Sequence, residues 1–291
     1  MEYIDMAQCG AKICANNGIT LPVSCRDARH VPKDKKLEWE IRYMSTLAAT
    51  QPAPKIEPAD DFPVWQENHP SGTFSDWLKA SVCDDWKRVT HHPFTDAWGD
   101  GALPGANLKN YLIQDHRFID RFVALLAAAV SRAPTLKDRI PGCQFLALVT
   151  GAENTYFERS FDALGVSDAD RENQPDWPAT KAFKQLMTDA TNSNSYTNML
   201  AVLAVAEGTY LGWADRVNTA IAKRPDDFWY SEWLDLHIGA YFESVIAYLN
   251  DQLDQCGPGL SADDRAQCLD HFRRATSLEV AFFDTAWGPQ E

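Results

Sequence analysis

The sequence predicts an all-α protein, with one helical domain over residues 73–288 and an N-terminal extension over residues 1–72. Three observations carry this reading. From Thr73 onward, apolar residues recur at spacings of three and four, the period of a helix. No run alternates with the period of a strand over a useful length. Glycine and proline fall in short clusters that divide the chain into helix-sized pieces, as at Gly99-Asp100-Gly101 and Gly257-Pro258-Gly259. No repeat of 20–50 residues is present.

The elements follow in order. Residues 1–72 carry the basic run Lys33-Asp34-Lys35-Lys36 and then TQPAPKIEPADDFP, with four prolines. Polar, proline-rich sequence makes a poor core, so this stretch reads as an irregular arm, with a short helix expected from Lys36 to Leu47. Thr73 offers an N-cap for a helix reaching about Val89, and His91-His92-Pro93-Phe94 breaks it. Leu103-Pro104 opens the next helix, which shows Leu108, Leu112, Asp115, Phe118 or Ile119, Phe122 and Leu125 on one face.

Pro134 and Pro141-Gly142 punctuate the chain before a helix expected from Cys143 to Leu164, with Glu153, Tyr156, Phe157 and Ser160 near one face. The polar stretch Asp168 to Pro178 precedes a helix from Thr180 to Thr191. After an Asn/Ser turn comes a helix from Ser195 to Val217, with Leu200, Leu203, Glu207, Tyr210 and Ala214 along one stripe. A long helix is expected from Phe228 to Leu253, sharing Trp229, Trp233, His237, Tyr241, Ser244 and Tyr248 on a face. Ser261 and Asp264 resemble a capping box for the last helix, which shows Phe272, Thr276, Glu279, Phe283 and Ala286 in register.

Asp115, Glu207 and Glu279 are therefore three acids in three apolar stripes. A carboxylate in such a stripe costs several kcal/mol unless something pairs with it. Each also admits a plain reading, as an acid that ties helices together or reaches water. Helical bundles build ligand sites from inward side chains on facing helices. Two carboxylates could share general-acid and general-base work, or acids with histidine could hold metal ions.

Composition narrows the partners. The 291 residues carry a net charge of −14, which argues against nucleic acid and anionic membrane surfaces. No apolar run approaches the roughly 20 residues of a membrane span, and no secretion signal is seen. Seven cysteines without a CxxC pair fit free thiols in a reducing compartment, so a cytoplasmic location is expected. Ten Trp, nine Tyr and fourteen Phe favour a large core with a ring-lined pocket.

Several short motifs then line up. HPF at 92–94, the Leu-Pro turn before Gln114-Asp115, YTNML at 196–200, AExxYxxW at 206–213 and LExxFFxxAW at 278–287 together resemble the TenA (thiaminase II-like) family over roughly residues 73–288. The resemblance implies a haem-oxygenase-like helical bundle. It also implies hydrolysis of aminopyrimidines derived from thiamin, with release of ammonia and hydroxymethylpyrimidine; some members cleave thiamin itself. Glu207 stands where many members carry a nucleophilic Cys, so the chain looks like the branch with Glu there.

By the same resemblance, Asp115 grips a ring nitrogen and the exocyclic amine, and Glu279 protonates the leaving amine. Glu207 either activates water or attacks as the nucleophile. Phe118 and His237 fall where tyrosines are common, and Tyr241 and Trp213 look like pocket walls. Tyr156 and Tyr210 complete the candidate substrate contacts. The expected partner is a small-molecule pyrimidine, with no cofactor and no metal; a homo-oligomer stays open. A di-metal oxidase of this fold would want His or Asp where Ser160, Tyr241 and Ser244 stand. A pyrimidine-binding or interaction protein of the same fold remains the non-enzymatic alternative.

Overall fold

A computed structural model describes residues 61–288, and every regular element among the described residues is helical. The helices are α1 (Phe62–Asn68), α2 (Phe74–Ala80), α3 (Cys83–Thr90), α4 (Pro93–Gly99) and α5 (Gly105–Arg132). Then come α6 (Leu136–Leu148), a π-helical turn (Val149–Glu153), α7 (Asn154–Leu164), α8 (Asp168–Asn173) and α9 (Pro178–Asn192). The chain finishes with α10 (Tyr196–Ala220), α11 (Phe228–Leu236), α12 (Gly239–Cys256) and α13 (Ala262–Trp287).

Helix α10 is the axis of the bundle. Every residue from Thr197 to Tyr210 is buried, so the helix is enclosed on all sides rather than along one stripe. Helices α3, α5, α9, α12 and α13 pack around it. A helix that is apolar all round has to be enclosed in this way. Small residues let neighbours come close: a Cβ added to Gly212 would stand 2.9 Å from Thr90 Cγ2 on α3. Ser195 caps α10, its hydroxyl accepting from Asn198 N at 3.3 Å.

Several expected boundaries move. The helix expected from Thr73 to Val89 is two, α2 and α3, with Val82 between them at φ −129° and ψ 20°. Thr73 does form the capping box with Asp76. Helix α6 starts seven residues before Cys143, because Thr135 and Asp138 form another capping box ahead of it. Pro141 therefore lies inside the helix, and Tyr248 donates to the Asp138 carbonyl beside the interrupted bond at 2.8 Å. The helix expected from Phe228 to Leu253 breaks at His237–Ile238. Gly239 then adopts φ +84°, a conformation side-chain-bearing residues rarely adopt.

Part of the segment expected as an arm belongs to this bundle. Phe62 and Trp65 on α1 are buried, and Phe62 meets Phe74 edge-on with centroids 5.2 Å apart. Asp61 caps α1 and accepts from Arg265 Nε at 2.7 Å. The helix expected at Lys36–Leu47 lies outside the described residues, as do the basic run and Cys9, Cys14 and Cys25.

Two apolar clusters form the core. One gathers α2, α9, α12 and the first half of α10. The other is aromatic, with Trp98 surrounded by Tyr111, Trp213, Tyr230 and Trp233 at centroid distances of 5.2–6.3 Å. This cluster absorbs many of the rings that the composition had pointed to.

Candidate active site

Where the two clusters meet, a pocket of about 470 Å3, mouth included, opens among α5, the π-helical turn, α9, α10, α11 and α13. Asp115, Glu207 and Glu279 all line it, and so do the rings of Phe118, Phe122, Phe183, Trp233 and Phe282. None of its lining residues is Lys or Arg.

Each acid reaches the pocket from a different helix. Asp115, Glu207 and Glu279 are 7%, 9% and 3% exposed, although each ends in a carboxyl. Burial lifts the Asp115 pKa to about 7, while the hydroxyls of Tyr111 and Tyr210 pull it back. Those two hydroxyls are themselves hydrogen-bonded, 2.9 Å apart. Burial also raises Glu207 well above the usual carboxyl range, and the charges of Glu153, Glu279 and Asp115 add to this. Glu279 is raised by burial and then by Asp115.

A fourth carboxyl, Glu153, joins them from the π-helical turn before α7. Burial and the Asp115 charge push it up to about 8. The sequence did carry a signal for it: Glu153 lies three, four and seven residues before Tyr156, Phe157 and Ser160, which are all buried. π-turns are frequent at functional sites.

His237 also lines the pocket. Its Nδ1 lies 2.8 Å from the Trp233 carbonyl, so Nδ1 carries the proton and Nε2 is left as an acceptor. Burial depresses its pKa to about 4, against the pull of that carbonyl, so the ring is neutral near pH 7. Tyr210 lines the wall beside it, with ring centroids 5.0 Å apart. Phe118 meets Phe183 edge-on at 5.0 Å.

Three expected wall residues are elsewhere. Trp213 is fully buried one layer behind, edge-on to Tyr210 at 5.7 Å, because a residue three positions further along α10 falls toward the aromatic cluster. Tyr156 stacks on the back of Trp233 at 4.9 Å, and its hydroxyl donates to the Trp229 carbonyl at 2.6 Å. Tyr241 is 46% exposed, since the break at Gly239 rotates α12 relative to α11. Trp233, Phe183 and Phe282 take the wall positions instead.

The arrangement can bind a flat, donor-rich or cationic ligand between rings, and it can move protons at an enclosed carbon centre. Among the described residues, no group of three or more His, Cys, Asp or Glu side chains has a metal-holding arrangement.

With this geometry in view, likeness to known proteins is informative. The sequence profile of the TENA/THI-4/PQQC family matches residues 80–288. The aminopyrimidine aminohydrolase of Halalkalibacterium halodurans is 22% identical over 202 residues, covering 69% of this chain and 90% of its own length. That of Bacillus subtilis is 20% identical over 214 residues, covering 74% and 89%. Among solved structures, a TenA homologue from Pyrococcus furiosus has a TM-score of 0.66 at 17% identity, covering 74% of this chain and 100% of its own. A TenA family transcription regulator from Silicibacter sp. has a TM-score of 0.65 at 22% identity, covering 76% and 100%. At such identities the structural likeness establishes the fold, the helical bundle that the motifs implied.

Proposed function

Because this chain belongs to the TENA/THI-4/PQQC family, we propose that it hydrolyses an aminopyrimidine breakdown product of thiamin to hydroxymethylpyrimidine. The substrate in this reading is 4-amino-5-aminomethyl-2-methylpyrimidine or its N-formyl derivative. The observation that carries it is the entry of Asp115, Glu207 and Glu279 into one ring-walled pocket that has no Lys or Arg lining it. Such a pocket suits a flat heteroaromatic ring bearing N–H donors. The names of the two curated relatives support the same substrate class.

In this reading Asp115 accepts from the ring amidine edge, steadied by Tyr111 and Tyr210. Glu279 acts as the acid. Its raised pKa favours the protonated form, which gives a proton to the leaving nitrogen. Glu207 acts as the base or as the nucleophile, and a raised pKa makes its ionised form the stronger proton acceptor. In the amine reaction the methylene carbon loses its bond to nitrogen, whose electron pair leaves with ammonia. Water supplies the new C–O bond. With Glu207 as base, the water's proton goes to Glu207, and solvent exchange resets both acids.

Incubation with each of the two pyrimidines, with ammonia and formate measured, tests the proposal. Hydroxymethylpyrimidine formed with ammonia or formate release supports it. Binding without formation of hydroxymethylpyrimidine points to the non-catalytic reading, and neither binding nor turnover overturns both.

A further inference from the structure

Resting on that reading, we propose that Glu153 is a specificity-determining carboxyl that receives the N–H donors of the substrate's primary amine, so that the chain prefers the free aminomethylpyrimidine to its N-formyl derivative. Three acids suffice for ring binding, base and acid, and Glu153 is a fourth in the same pocket. It makes no hydrogen bond or ion pair to another described residue, and neither do the more deeply buried Glu207 and Glu279. The only basic side chain in the lining, His237, is held neutral by its enclosed position, against the pull of the Trp233 carbonyl at Nδ1.

Carboxyl oxygens left without protein donors are open to the N–H donors of a ligand that displaces water from them. A primary amine offers two N–H donors, and three when protonated. A formamide offers one and cannot carry the positive charge that draws a carboxyl to its ionised form. A pocket with one carboxyl more than the chemistry requires therefore favours the amine. The π-helical turn ending at Glu153 sets this acid on a helix separate from those that bear Asp115, Glu207 and Glu279.

The test compares kcat/KM for the two pyrimidines, by formation of hydroxymethylpyrimidine, in the parent and in Glu153→Gln. Hydroxymethylpyrimidine binding by calorimetry checks that the pocket is intact. The parent is expected to favour the amine. Glu153→Gln, which keeps the shape but cannot ionise to pair with the amine, is expected to cut the amine-to-formamide ratio about tenfold or more, mainly through KM for the amine. A parent that favours the formamide, or a Glu153→Gln variant that leaves the ratio unchanged, overturns the assignment while leaving the proposed hydrolysis standing. A parent that neither binds nor converts either pyrimidine overturns both. If Glu153→Gln fails to bind the product, Glu153→Asp decides: an unchanged ratio there overturns the assignment, and an intermediate one supports it.

Discussion

Tyr111 on α5 and Tyr210 on α10 meet hydroxyl to hydroxyl at 2.9 Å, beside the carboxyl of Asp115. Two rings from two helices thereby fix the orientation of one acid in a pocket without lysine or arginine. Asp115 is accordingly positioned to hold a ligand. Asp115→Asn is expected to weaken hydroxymethylpyrimidine binding roughly ten- to a hundredfold, the worth of a charge-assisted hydrogen bond. Calorimetry reads this directly, and equal affinity would exclude the gripping role.

Glu279→Gln is expected to lower turnover about 10²- to 10⁴-fold while product binding largely survives, because glutamine keeps the shape but cannot donate the proton. Ammonia-release rates beside the same calorimetry separate the two effects. Normal turnover in this variant would reassign the acid.

Stability should fall as pH rises. Burial lifts Asp115 from 3.8 to about 7 and Glu153 from 4.5 to about 8, so the folded chain keeps protons that the unfolded chain has already released. The stabilisation is complete below pH about 4 and is lost by pH about 7 for Asp115 and about 8 for Glu153. Thermal melts in ligand-free buffer are expected to show Tm falling across that window, and Glu153→Gln should flatten the upper part. A Tm that climbs steadily from pH 5 to 8 in the parent and is untouched by the variant would contradict the raised values.

Gly239→Ala is expected to destabilise the chain by about 1 kcal/mol or more, because Gly239 sits at φ +84° at the start of α12. His237 is two residues away and lines the pocket, so KM should rise with the loss of stability. Urea unfolding and steady-state kinetics on the same preparation check both. A stable variant with unchanged kinetics would show that the turn bears no strain.

Two truncations distinguish arm from bundle. Removal of residues 1–60 is expected to leave activity in place, since every candidate site residue lies beyond Thr73. Removal of residues 1–72 takes away Phe62, Trp65 and the Asp61 partner of Arg265, so its Tm should drop by several degrees. Equal melting of the two truncations would show that α1 contributes nothing to the fold.

Local pattern determined much of this molecule. The spacing of apolar residues established the helices, and the motifs around Asp115, Glu207 and Glu279 marked the acids that meet in the pocket. Periodicity ranks positions only around a helix's own axis. It could not tell that α10 is enclosed on every side, because that depends on how many neighbours surround it. It could not place Tyr241 outside or Trp213 behind Tyr210, since a backbone break at Gly239 and the aromatic cluster around Trp98 decide those positions. Glu153 was legible as an acid on a buried face. Its membership of the pocket depends on which helices lie opposite, which only the packed chain determines.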